Sequence, residues 1–207
     1  MYPIQHYQTQ NPLLLQHIIE QSPLATVLVS QADDHWPHIS HIPFIFDQDR
    51  LIGHVSRAHP LAHALTKGSV SLKLLFNGPD GYISPHYCPC AQTVPTWNYA
   101  KVTITGQADA VSDKTEQCLH MTQISHRFEQ QLQQQFNAQP WSIDTLAPKQ
   151  LDAMLNAISI FKVTITQTEG LLKLSQNKPP LAIETITKHL RAHHQHDLAM
   201  FMQRARQ

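Results

Sequence analysis

Glycine, cysteine and charge are all scarce in this 207-residue chain. There are six glycines, three cysteines and 14% charged residues, with 15 basic groups matched by 15 acidic ones. Six glycines leave no Gly-rich phosphate cradle, and no Walker loop, GxSxG elbow, HExxH or helix-turn-helix pattern occurs. A formal net charge of zero argues against a protein that grips nucleic acid through phosphates, which needs an excess of Lys and Arg. Cys88, Cys90 and Cys118 are too few, and odd in number, for a disulfide framework, and they fit a reducing compartment. No apolar run approaches the roughly 18 residues of a membrane helix. The first residues, MYPIQHYQTQNP, lack the basic-then-apolar order of a signal peptide. The expectation is a soluble, cytoplasmic protein with no membrane partner.

What is present is 42% hydrophobic residues beside 23 Gln and 15 His. A chain of this size buries roughly 70% of its unfolded surface, enough for a core without staples. Below about pH 6.5 the histidines begin to charge and the chain turns cationic. No linker demands a boundary, so a single domain over 1–207 is expected.

Asn11-Pro12 before LLLQHIIE is a helix start, and Ser22-Pro23 ends that helix. LATVLVS (24–30), HISHIPFIF (38–46) and RLIGHVS (50–56) are strands, and PLAHALTK, closed by Gly68, is a short helix. SVSLKLLF (69–76) is a strand that ends in the turn chemistry of Asn77–Gly81. TWNYAKVTITGQADAV (96–111) is a long strand. Residues 112–136 form a helix, with Asp113 and Glu116 as a capping box and Leu119, Ile124, Phe128 and Leu132 as its apolar stripe. Residues 148–158 form another helix, and FKVTITQTE (161–169) is a period-2 strand. Pro179-Pro180 interrupts regular structure before a helical tail over about 181–207. About seven strands joined by tight connections predict a mostly antiparallel β-barrel with appended helices (α+β) and a helical insert over about 112–158.

Three clusters mix aromatic or apolar residues with hydrogen-bonding groups near strand ends. They are HIPF with GHVSRAHP (41–44 and 53–60), GYISP with VPTWNY (81–85 and 94–99), and KLSQN (173–177). Arg57 beside Ser56 offers a fork for a phosphate, and Trp97 with Asn98 and Tyr99 offers a flat apolar face beside polar groups. The set suits a planar heterocycle that carries a phosphate. Singly, each is more often core or solvated surface.

With these motifs in this order, the chain resembles the PaiB-type FMN-binding negative transcriptional regulators over close to its full length. That family uses the split-barrel flavin fold shared with pyridoxamine-phosphate oxidases. The resemblance implies FMN as cofactor and a homodimer with the flavin in a cleft between subunits. It also implies a transcriptional output, with DNA as a partner on that ground alone. By position, Ser56, Arg57 and His59 are the phosphate candidates. Trp97, Asn98, Tyr99 and Lys101 are candidates for the ring and ribityl side, and Lys173, Ser175 and Gln176 would reach across from the partner. The family commonly has Asn at the position of His59. It usually has an aromatic residue at the position of Leu172, which places Leu172 beside the ring.

No metal site is expected. His35, His38 and His41 lie beside a strand, where positions three apart face opposite ways. His189, His193 and His196 share a face of the tail helix but have no carboxylate or Cys ligand close by. Cys88-Pro-Cys90 lacks CxxC spacing and a second pair. Three functions compete: a flavin-binding regulator, an FMN-dependent oxidoreductase on the same barrel, and a scaffold without flavin.

Overall fold

Asn11 opens the first helix as its chemistry predicts. In the computed structural model, which describes residues 7–29, 37–88, 94–136 and 139–205, the Asn11 carboxamide oxygen accepts the Leu14 N–H at 3.2 Å. Pro12 takes the first helical position, where no N–H is needed. This helix, α1 (Pro12–Gln21), follows a short strand β1 (Gln8–Thr9) and buries Leu15, Ile18 and Ile19. Strands β2 (Leu24–Val29), β3 (His38–Pro43), β4 (Ile45–Asp47) and β5 (Arg50–Ser56) lead into helix α2 (Pro60–Leu65). Two long strands follow, β6 (Val70–Ile83) and β7 (Thr96–Ala110), then helices α3 (Lys114–Phe136) and α4 (Pro148–Asn156). Strand β8 (Ile158–Lys173) and helices α5 (Pro180–Ala192) and α6 (His196–Arg204) complete the chain.

Among the described residues the strands form one eight-stranded sheet, ordered β3-β2-β6-β7-β8-β5-β4, with β1 added on β8. The pairs β2–β3, β4–β5, β5–β8 and β1–β8 are antiparallel. The mostly antiparallel β architecture with appended helices is therefore as expected. No described helix is long and apolar enough to cross a membrane.

The chain divides into two compact units. One comprises residues 1–22, 75–103 and 168–207, and the other residues 23–74 and 104–167. In the first, α5 and α6 bury Ile186, Leu190, Leu198 and Phe201. In the second, α3 and α4 cover a cluster of Ile45, Ile52, Val111, Ile124, Leu155 and Ile160. The face of α3 turned to that cluster carries Cys118, Met121, Ile124 and Phe128. The expected stripe is thus shifted: Leu119 and Leu132 are exposed. Asp113 caps α3 by accepting Glu116 N–H at 2.8 Å. The Glu116 carboxylate turns instead to Lys162 and lies 3.6 Å from His120 Nε2. Its pKa is lowered, first by the Lys162 hydrogen bond.

Four local expectations fail. Asn77–Gly81 is not a turn, because β6 runs through it. Gly78 and Gly81 serve close approach: a Cβ on Gly78 would lie 2.8 Å from Ala100 O, and one on Gly81 2.8 Å from Leu198 Cδ2. Pro180 begins α5 rather than interrupting structure, since the first helical position does not need its N–H. The tail is two helices, broken at His194, which adopts φ 61° while Gln195 N–H bonds Leu190 O at 2.8 Å. His189 and His196 therefore lie on different helices, and their expected common face does not exist. Finally, thiols are not all reduced: Cys88 is disulfide-bonded, while Cys118 is free. His35 and Cys90 lie outside the described residues.

Candidate functional site

Residues 23–74 and 104–167 carry the first candidate site, at the start of α2. Strand β5 ends at Ser56, and a tight turn follows in which His59 N–H bonds Ser56 O at 2.9 Å. His59 is the N-cap of α2, and its Nδ1 accepts Leu61 N–H at 3.1 Å. That bond puts the neutral ring's proton on Nε2, which lies 3.0 Å from Ser40 Oγ. The Ser40 hydroxyl is then left to donate to His38 Nδ1, 3.2 Å away. The His38 and His59 rings meet edge to face at 5.2 Å. Burial, and then the neighbouring His38, push the His59 pKa down. The relay thus sets the tautomer of the His59 ring and orients the His38 ring.

His38 also lines a cavity of about 490 Å³ beside α2, within the range of roughly 300–1,000 Å³ usual for cofactor pockets. Lys67, His63 and His38 supply cationic or N–H groups, Ser71 a hydroxyl, and Leu61 and Val70 an apolar wall. Among the described residues the lining holds no carboxylate, although the hydroxyl of the lining Ser69 donates to Asp109. Ser56 and Arg57 are placed differently. Ser56 Oγ accepts Ala58 N–H at 3.4 Å within the turn. Arg57 donates Nε to Asn156 O at 2.6 Å and one Nη to Ile158 O at 2.8 Å. Two arms of its guanidinium thus close the end of α4 and the start of β8.

Residues 7–22, 75–103 and 168–205 carry the second candidate site. Alternation along β7 turns Trp97 outward, 56% exposed, and Asn98 inward, fully buried. Trp97 and Tyr82 meet edge to face at 6.2 Å and form an exposed aromatic pair. Lys101 is paired with Asp80 at 2.6 Å and also donates to Gly78 O at 3.3 Å. Tyr99 is half-buried. After β8, Ser175 adopts φ 61° and Lys178 N–H bonds Ser175 O at 3.0 Å, closing a tight turn. Gln176 folds back within it, its Oε1 accepting Leu174 N–H at 2.8 Å. Ser175 Oγ donates to Asn98 Oδ1 at 3.0 Å. Asn98 and Ser175, expected on opposite subunits' contributions, thus pair within one chain. Thr96, Asn98, Lys173, Ser175, Asn177 and Lys178 border a pocket of about 130 Å³. Leu172 is 3% exposed and belongs to the core, which corrects its expected place beside a ring.

Sequence reasoning missed His63 and Lys67, and it gave no separate role to Thr96, Asn177 and Lys178 in and after the VPTWNY and KLSQN clusters. The i, i+4 spacing of His63 and Lys67 was a usable signal, because it puts both on one face of a helical turn. Lys178 simply follows the KLSQN segment.

FMN needs cations or N–H donors for a dianionic phosphate and an apolar face for its ring. The cavity beside α2 offers both, with Lys67, His63 and His38 near Leu61 and Val70. The pocket beside Ser175 admits a small group only.

The chain is 26% identical over 182 residues to protease synthase and sporulation protein PAI 2 of Bacillus subtilis, covering 86% of this chain and 83% of that one. Among solved structures, it resembles a FAD and heme binding protein of Mycobacterium smegmatis at TM-score 0.59 and 18% identity, covering 80% of this chain and 73% of that one. It also resembles a conserved hypothetical protein of Mycobacterium tuberculosis at TM-score 0.60 and 12% identity, covering 84% and 91%. These likenesses show the fold, the split barrel of flavin-binding proteins. Residues 1–167 match the family described as "Putative FMN-binding domain", and with most of its length inside that match the chain belongs to the FMN-binding domain family.

Proposed function

We propose that the cavity beside α2 holds FMN by its phosphate and that the protein acts as a PaiB-like negative regulator of transcription. The observation that carries the binding site is the lining of that cavity: three cationisable groups beside an apolar wall. Lys67 supplies the fixed charge, His63 and His38 supply N–H donors, and His59 holds His38 in its tautomer through Ser40. Ser56 and the remaining arm of Arg57 border the same turn. Trp97, Tyr99, Lys101, Lys173 and Gln176 remain proposed flavin contacts contributed within a homodimer. When bound, FMN supplies the redox-active isoalloxazine, and the chain's part is to bind and orient it.

The regulatory output rests on the sequence motifs and on the likeness to the Bacillus relative. A second reading, an FMN-dependent oxidoreductase, is favoured by two observations: a net charge of zero and the lack of a helix-turn-helix pattern. Visible absorption of the FMN-loaded protein separates the two. Bleaching by NAD(P)H with turnover supports the oxidoreductase. Retention of promoter DNA that responds to flavin supports the regulator. A monomer mass by light scattering at micromolar concentration would defeat the homodimer.

A further inference from the structure

We propose that His59 is a proton-operated latch: a proton on its ring uncaps α2 and loosens the wall of the cavity that α2 borders. The ring serves two neighbours. Its Nδ1 accepts Leu61 N–H at 3.1 Å, and its Nε2 lies 3.0 Å from Ser40 Oγ. Since Nε2 already carries a proton, a second one must go to Nδ1. Nδ1 then has no lone pair to offer, and Leu61 N–H faces another donor. The Ser40 contact survives, so protonation breaks the cap alone.

That cap matters to the cavity. Six residues are far below the length at which a helix holds by itself, so α2 depends on its cap and on burial of Leu61, Ala62 and Leu65. Its other end is closed separately, by Thr66 Oγ1 donating to His63 O at 2.8 Å. With the turn after it, α2 supplies Pro60, Leu61, His63, Ala64 and Lys67 to the cavity lining. The surroundings of the ring favour opening on acidification. On β3, Ser40 bonds it and His38 meets it edge to face at 5.2 Å. In the preceding turn, Arg57 is engaged by Asn156 O and Ile158 O, and Ser56 offers its carbonyl to His59 N–H. On α2 the next titratable group is His63. Among the described residues no carboxylate pairs with His59. Burial, and then His38, hold its pKa down, which keeps the latch closed near neutral pH. By linkage, a ligand that needs an ordered α2 opposes the proton in turn.

That the ligand is FMN rests on the reading above, whereas the latch rests on the cap. Hydrogen exchange of the ligand-free protein, corrected for its intrinsic pH dependence, is followed by mass spectrometry between about pH 7.5 and 5. In the parent, protection of residues 59–67 should fall about fivefold on acidification, the worth of one cap. His59→Asn caps without titrating and should hold its protection; His59→Ser is a second variant of the same kind. Peptides from β6 should stay protected throughout, which separates local opening from global unfolding. FMN is then titrated into parent and variant at both ends of the range. His38, His63 and the phosphate titrate alike in both proteins, so the ratio of the two dissociation constants isolates the latch. It should move about fivefold against the parent at the acid end. Opening of 59–67 in the parent alone, with no FMN bound by either protein at any pH, supports the latch and defeats the flavin reading. Protection that falls alike in parent and both variants, or a ratio that ignores pH while FMN binds, overturns the latch.

Discussion

The Ser175 hydroxyl donates to Asn98 Oδ1 at 3.0 Å, with both side chains buried, and ties the turn after β8 to β7. Ser175→Ala leaves the Asn98 oxygen unpaired and should cost about 1–3 kcal/mol. Ser175→Gly loses the same bond but suits φ 61°, so it should be less destabilising than Ala by roughly 1 kcal/mol. Urea unfolding of the three proteins measures both. Equal losses for Ala and Gly would show that the turn carries no backbone strain.

Arg57 bonds two main-chain carbonyls at 2.6 and 2.8 Å. Arg57→Ala should therefore lower stability by about 1–2 kcal/mol, toward the low end for a charged donor because the group is exposed. Arg57→Lys cannot reproduce the fork and should recover little. Thermal melting reads both. A variant that melts like the parent while losing FMN affinity would make Arg57 a ligand contact with no structural part.

His59 makes stability depend on pH. Burial, and then His38, hold its pKa below the ordinary 6.5, while β3 presents Ser40 and His38 to its ring. The folded chain then binds fewer protons than the unfolded chain between that lowered value and about 6.5. The stability of the neutral form is complete above 6.5 and is lost as pH falls through the lowered value. His54, also lowered by burial, acts in the same direction. His59→Asn keeps a helix cap without a titrating ring and should flatten, without abolishing, the fall in stability. A profile that overlays the parent's would remove His59 from the pH dependence.

A Cβ on Gly53 would lie 2.8 Å from Phe44 Cε1 and 3.1 Å from Phe161 Cζ. Those rings meet edge to face at 5.9 Å. Gly53→Ala should cost about 1–3 kcal/mol by overpacking. Phe44→Leu in the same chain should recover part of that loss in denaturant unfolding, because it removes the clashing ring edge.

Much of the fold was legible because local chemistry and tertiary structure agree there. Asn11 and Asp113 cap the helices they were expected to cap. Alternation along 96–111 is that of one long strand. Legibility fails where one residue type serves two purposes. Gly78 and Gly81 read as turn residues, but they admit close neighbours inside a strand. Pro180 reads as a breaker and is a helix opener.

The site was legible by motif and not by side-chain direction. Sequence could name Asn98, Ser175 and Arg57, but their hydrogen-bond partners come from distant segments. Lys67 and His63 gain meaning only from a cavity that the folded chain creates.

The most direct test of the flavin assignment is the ratio of riboflavin to FMN dissociation constants, measured by fluorescence quenching for the parent and for Lys67→Met. Phosphate held by a lysine should make FMN bind about 10–100-fold more tightly than riboflavin. Lys67→Met should bring the ratio near one with riboflavin affinity unchanged. Equal binding of FMN and riboflavin by the parent, or a ratio indifferent to Lys67, would contradict the placement of the phosphate in the cavity beside α2.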